Sequence, residues 1–191
     1  DSPTRAAHCV WLEDEDFDIL KRHGVTVACC PASNLKLASG YANVPKMLES
    51  GINVALGTDG AASNNNLNIM QDMYLFGVVY KGYFRDPTII TPAEVLHAAT
   101  RAGALSQGRD DSGLLAVGMR ADLCVLNTDT PQFTPMTSAA CNVVYAAQGA
   151  DIRMTMVDGE VLYRDGEFKT IDIEKVKAEV QRRTDSILSR L

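Results

Sequence analysis

Two residues in this 191-residue sequence are of a type and spacing that could do chemistry together. His8 lies inside the apolar run Ala6-Ala7-His8-Cys9-Val10-Trp11, and Asp59 follows the apolar run Ile52–Leu56 within Gly57-Thr58-Asp59-Gly60. An imidazole and a carboxylate can move protons or hold a cation. Each alone has a plainer reading. A lone histidine in an apolar strand is usually a satisfied core residue, and Asp-Gly is first of all a turn signal. The pair changes the argument. If their runs are parallel strands two units apart, both side chains emerge at the same edge of one sheet. That is the face on which β/α barrel enzymes place their catalytic groups.

The elements needed to hold them there are legible. Ala6–Trp11 reads as a short buried strand, followed by an acidic helix start at Glu13–Asp16 and a helix through Phe17, Ile19 and Leu20 that stops at His23-Gly24. Val25–Cys29 is a second buried strand, Pro31–Gly40 a polar loop, Val44–Ser50 a helix ended by Gly51, and Ile52–Leu56 a third strand. Continuous apolar strands alternating with helices imply parallel β/α units covered on both faces. Three such units are too few to close a barrel. A long helix is expected from about Leu67 to Tyr83, broken at Asp86-Pro87, and Thr91-Pro92-Ala93-Glu94 supplies the cap, first-turn proline and acid of the next.

Beyond Gly113 the texture changes to short β-rich runs at Asp122–Leu126, Asn142–Tyr145, Arg153–Val157 and Glu160–Tyr163, with turns at Asp158-Gly159 and Asp165-Gly166. The expected organisation is therefore an α/β segment over 1–112, part of a small β-domain over 113–171, and an amphipathic helix over 172–191.

Composition excludes some function classes. A formal charge of −6 offers no basic footprint for a nucleic acid. No stretch approaches the roughly 18 apolar residues of a membrane span. The five cysteines form an odd set without a CxxC pair, which suggests reduced thiols in a cytoplasmic protein. Asp1-Ser2-Pro3-Thr4-Arg5 runs into apolar sequence without the features of a signal peptide and reads as a cut inside a larger protein.

Several blocks in order carry a family resemblance: Ala7-His8-Cys9-Val10, the run Cys30–Gly40, Ala55–Asn65, Thr100-Arg101-Ala102-Gly103-Ala104, Gly118–Leu123 and Val157-Asp158-Gly159. Together they resemble the amidohydrolase superfamily, in its branch of S-adenosylhomocysteine and methylthioadenosine deaminases and related chlorohydrolases. The resemblance covers nearly the whole chain. It implies the C-terminal part of a (β/α)8 TIM-type barrel, strands six to eight, plus part of a small β-sandwich domain.

It also implies roles. Asp59 corresponds to the eighth-strand aspartate that binds the metal and takes a proton from the attacking water. His8 corresponds to the sixth-strand histidine that faces the reacting carbon and stabilises the new hydroxyl or developing anion. Ser63 matches a position that helps hold the polar end of the substrate. Asn34 and Lys36 are pocket-lining candidates, with a structural turn as the alternative, and Asn64, Asn65 and Asn66 are read as residues that order the Asp59 loop. The implied cofactor is one divalent metal ion, zinc by preference. The implied substrate is an aminopurine nucleoside thioether, and the implied assembly a homo-oligomer.

What is missing carries as much weight. The family pattern calls for a His-x-His pair, a further histidine and a glutamate, whereas this sequence has three histidines in all. His23 and His97 read as structural. The adjacent Cys29-Cys30 lacks chelate spacing, and the H-x-E and P-C-x-x-C signature of cytidine-type deaminases is absent. The reading is thus a hydrolytic deaminase in an incomplete C-terminal piece that holds metal weakly and is inactive alone. The alternatives are another amidohydrolase, of chlorohydrolase or guanine-deaminase type, and a non-catalytic half-barrel binding module.

Overall fold

The structure is a computed structural model that describes residues 4–190; the expectations about the first three residues and about Leu191 lie outside them. The chain folds into two compact units. Residues up to Met119 together with Thr128–Asp151 form the first, and Arg120–Asn127 with the residues from Ile152 onward form the second.

The first unit is α/β. Its three-stranded sheet has the order β1 (Arg5–Ala7), β2 (Thr26–Cys29), β3 (Val54–Leu56). Both pairings are parallel, with Ala6 opposite Val27 and Ala28 opposite Ala55. Each strand runs into a helix: β1 into α1 (Asp14–Arg22), β2 into α2 (Pro31–Lys36) and, after an intervening α3 (Val44–Glu49), β3 into α4 (Ala61–Asn64). Burial on both faces explains the unbroken apolar composition of β3, all of whose residues are buried. The long α5 (Ile69–Phe84) sends Met73, Phe76 and Tyr80 into a core with Val27, Val44, Met47, Val54 and Val95. Next come α6 (Pro92–Ala99) and α7 (Arg101–Ser106). The start of α6 is fixed as its sequence suggests: Thr91 Oγ1 and the Glu94 carboxylate cap each other's backbone amides, with Pro92 in the first turn.

Four expectations need correcting. The first strand is not buried and does not reach Trp11. It ends at Ala7, His8 and Cys9 take positive φ values of 66° and 47°, and Trp11 is 87% exposed. The backbone turns out of the sheet there, with the Cys9 amide bonded to the Ala7 carbonyl. The polar loop after β2 begins as a helix, because Pro31 presets its first-turn φ. Asn142–Tyr145 is not a strand. It belongs to α8 (Ala139–Tyr145), where Ser138 caps the Cys141 amide and Val144 is buried in the core. Lastly, 128–151 groups with the first unit rather than with the β-rich segment.

The second unit holds β4 (Leu123–Leu126), β5 (Ile152–Val157), β6 (Glu160–Arg164) and β7 (Glu167–Phe168), antiparallel in that order. Its hairpins turn at Asp158-Gly159 (φ 52° and 83°) and Asp165-Gly166 (φ 48° and 94°). Two consecutive positive φ values are what a type I′ turn demands, and Asp-Gly supplies them at low cost. The unit ends in α9 (Ile173–Leu188), capped by Asp172. Among the described residues no helix is long and apolar enough to cross a membrane.

Candidate active site

Parallel pairing puts the C-terminal ends of β1, β2 and β3 on one edge, and the residues just past those ends meet there. His8 follows β1, Ser33 and Asn34 lie in α2 after β2, and Asp59 follows β3. Asp59 takes a positive φ of 62°, unusual for a residue with a side chain. Its carboxylate is clasped from two sides: Ser33 Oγ donates to Oδ2 at 2.6 Å and the Gly60 amide to Oδ1 at 2.7 Å. These two donors, the Ser33 hydroxyl foremost, hold the Asp59 carboxyl below the usual aspartate range. Partial burial opposes them, and the His8 ring and the Ser63 hydroxyl add smaller lowering effects.

His8 faces this carboxylate, with Nε2 4.0 Å from Asp59 Oδ2. Its other nitrogen, Nδ1, is 2.8 Å from Asn34 Oδ1. An amide oxygen only accepts, so with the amide in this orientation Nδ1 carries a proton and Nε2 is the atom turned toward Asp59. The two side chains are 41% and 28% exposed, so the pair opens to solvent rather than sitting in a sealed core. Asn34 itself is buried, and its Nδ2 has no partner among the described residues.

The other candidates sort by what they touch. Lys36 donates to the Ser63 carbonyl at 2.7 Å and also bonds Asn65 Oδ1, which spends its charge on tying the end of α2 to the end of α4. Asn64 donates from one amide nitrogen to the Thr58 carbonyl at 2.8 Å and to Asp72 Oδ2 at 3.1 Å. Asn65 ends α4 in the left-handed conformation, and Asn66 bonds Gln71. His23 caps α1, and His97 is on the exposed side of α6.

Burial pushes the Cys29 thiol up to about 12 and the Cys30 thiol to about 11. Both stay protonated near neutrality, and a protonated thiol is a poor metal ligand. Ser33 and Asp72 are the residues that sequence reasoning missed. The one available signal was a carboxylate at position 72 inside the stripe Met73, Phe76, Tyr80 that otherwise faces the core.

As a metal site the arrangement is short of donors. Among the described residues no group of three or more His, Cys, Asp and Glu side chains converges. One carboxylate with one facing imidazole does not make the three protein ligands usual for catalytic zinc.

Comparison with known proteins places the chain as a whole in a family. The sequence pattern of the Amidohydrolase family matches residues 2–162. The chain is 42% identical over 186 residues to the 5'-deoxyadenosine deaminase of Methanosarcina mazei, covering 97% of this chain and 43% of that protein. It is 45% identical over 189 residues to the 5-methylthioadenosine/S-adenosylhomocysteine deaminase of Acetivibrio thermocellus, covering 98% and 44%. Among solved structures, an adenosine deaminase from Xanthomonas campestris with bound zinc superposes with a TM-score of 0.93 at 30% identity, over 97% of this chain and 42% of that one. The zinc complex of atrazine chlorohydrolase TrzN from Arthrobacter aurescens gives 0.86 at 27%, over 93% and 40%. The chain thus spans less than half the length of these relatives, and over that span it belongs to the amidohydrolase family.

Proposed function

We propose that this chain is the C-terminal part of a hydrolytic deaminase of adenosine-type substrates, with methylthioadenosine-like and S-adenosylhomocysteine-like nucleosides as the class. In this reading β1, β2 and β3 are strands six to eight of a (β/α)8 barrel, and the antiparallel sheet is part of a small β-sandwich domain. The observation that carries it is the convergence of His8 and Asp59 to 4.0 Å at the C-terminal edge of a parallel sheet. Named deaminases at 42% and 45% identity supply the substrate class.

The reaction joins water to the amine-bearing ring carbon and breaks its C–N bond, releasing ammonia. Asp59, kept ionised by Ser33 and Gly60, is placed to accept the proton of that water. His8, with Nδ1 held by Asn34, turns Nε2 to the same space, where it steadies the new hydroxyl. Ser63 lies on α4 beside them and holds the polar end of the substrate. A divalent ion, zinc by preference, is the cofactor of the whole enzyme. Among the described residues the donors do not suffice for it, and in this reading its remaining ligands belong to the part of the relatives' length that this chain does not cover.

Loss of amine and loss of halide share this geometry, and the likeness to atrazine chlorohydrolase keeps that reading as the second. The experiment is to extend the chain by the sequence encoded upstream of it and assay release from 5'-deoxyadenosine, methylthioadenosine and a chlorotriazine. Ammonia from the nucleosides is the expected result. Chloride release alone would give the site to the second reading, and neither product would leave a binding module.

A further inference from the structure

Asp72 is the residue on which both halves of the His8–Asp59 arrangement converge. It sits on α5, one of a buried stripe with Met73, Phe76, Gly77 and Tyr80, and is itself only 1% exposed. A carboxylate taken out of water costs several kcal/mol unless its oxygens are bonded. Here each is: Oδ1 accepts the Ala32 amide at 3.1 Å and Oδ2 accepts Asn64 Nδ2 at 3.1 Å. Burial holds its carboxyl above the usual aspartate range, and those two bonds oppose it only in part.

The two donors lead to different arms of the site. Ala32 directly precedes Ser33, which clasps Asp59, and Asn34, which holds His8. Asn64 gives Asp72 one bond and the Thr58 carbonyl another, and Thr58 directly precedes Asp59. Backbone held at an unfavourable φ persists only where its surroundings over-determine it, and Asp59 at 62° is such a residue.

We infer that Asp72 is the positioning residue of this site: it sets α2 against the Asp59 loop and thereby fixes the separation of His8 and Asp59. An apolar residue there would pack as well, but it would leave the Ala32 amide and the Asn64 amide without their common anchor. The inference deepens the deaminase reading and rests on it only for its chemical purpose; the geometry stands apart from it.

The test uses spectroscopy rather than turnover, so it separates from that reading. In the full chain labelled with 15N, the His8 imidazole and the Asn64 side-chain amide are followed in Asp72→Asn, Asn64→Ala and Val95→Ala. Val95 is fully buried on α6 and serves as a control for core destabilisation. In Asp72→Asn, one carbonyl oxygen must replace two acceptors. The His8 ring should lose the signature of a proton fixed on Nδ1, and the Asn64 amide should lose its slow exchange. In Asn64→Ala, which cuts one arm only, the His8 signal should stay as in the parent while the Thr58–Gly60 amides shift. Val95→Ala should leave the His8 ring unchanged. If Asp72→Asn fails to fold, the one-arm pattern of Asn64→Ala decides. An unmoved His8 signal in folded Asp72→Asn, equal displacement in Val95→Ala, or unshifted Thr58–Gly60 amides in Asn64→Ala would overturn the inference.

Discussion

The edge of the parallel sheet and the hairpins of the antiparallel sheet both hold residues at positive φ, to opposite purpose. At Asp158-Gly159 and Asp165-Gly166 the left-handed backbone is what a tight reversal requires, and glycine takes half of each turn. At His8, Cys9 and Asp59 no glycine shares the cost, which is about 1–3 kcal/mol for each such residue. The partners differ in the same way. The hairpin region is trimmed with exposed ion pairs, such as Arg153 with Asp165 across one hairpin and Lys169 with Glu167 two residues apart. The residues around Asp59 find their partners on other elements far along the chain: Ser33 for Asp59, Asn34 for His8, Asp72 for Ala32. The antiparallel sheet is built from local rules, while the parallel edge is held against local preference by packing.

If that contrast is right, the parallel edge should fail when its packing is loosened and the hairpins should fail only when their turns are spoiled. The largest effect is expected for Phe76→Ala, which removes a fully buried ring from the core beneath the site. Such truncations cost about 3–5 kcal/mol, and urea unfolding followed through probes in the first unit should show it. Gly159→Val should cost about 1–2 kcal/mol, because a β-branched residue is forced to a φ of 83°. Hydrogen exchange should place the loosening in β5 and β6, with α5 unaffected.

Ser33→Ala probes the clasp on Asp59. The folded chain holds this carboxyl below its ordinary value, so its contribution to stability is present above the unfolded carboxylate value. It fades as pH falls through the lowered folded one. Removing the Ser33 hydroxyl takes away the largest cause, so the Asp59 titration in carboxyl NMR should move up and the fade should begin at higher pH. An unchanged titration would contradict the clasp. Arg153→Ala should be the smallest change, about 0.5 kcal/mol or less, since both partners of that pair are more than half exposed.

Sequence patterning made some of this legible and not the rest, for the same physical reason. His8 and Asp59 stood out because apolar runs alternating with helices permit one topology, and that topology sends both to one edge. The Asp-Gly turns were equally plain. The end of β1 at Ala7 was not, because the turn at His8 is imposed by the fold rather than by residue preference. Asn142–Tyr145 carries Val143-Val144 and reads as strand, yet the Ser138 cap and the burial of Val144 make it helix. Ser33 and Asp72 were invisible because their partners lie 26, 40 and 8 residues away, beyond what spacing in a single sequence reveals.

We propose that Asp59 works as part of a hydrolytic site for which the described residues of this chain supply too few metal donors. This is tested most directly by measuring ammonia release from methylthioadenosine with added zinc. Three proteins are compared: the 191-residue chain, the upstream-extended protein, and that protein carrying Asp59→Ala. The account predicts release by the extended protein, a loss of about 100-fold to 10,000-fold in Asp59→Ala, and no release by the chain alone. Turnover by the chain alone near the rate of the extended protein, or full activity in Asp59→Ala, would contradict it.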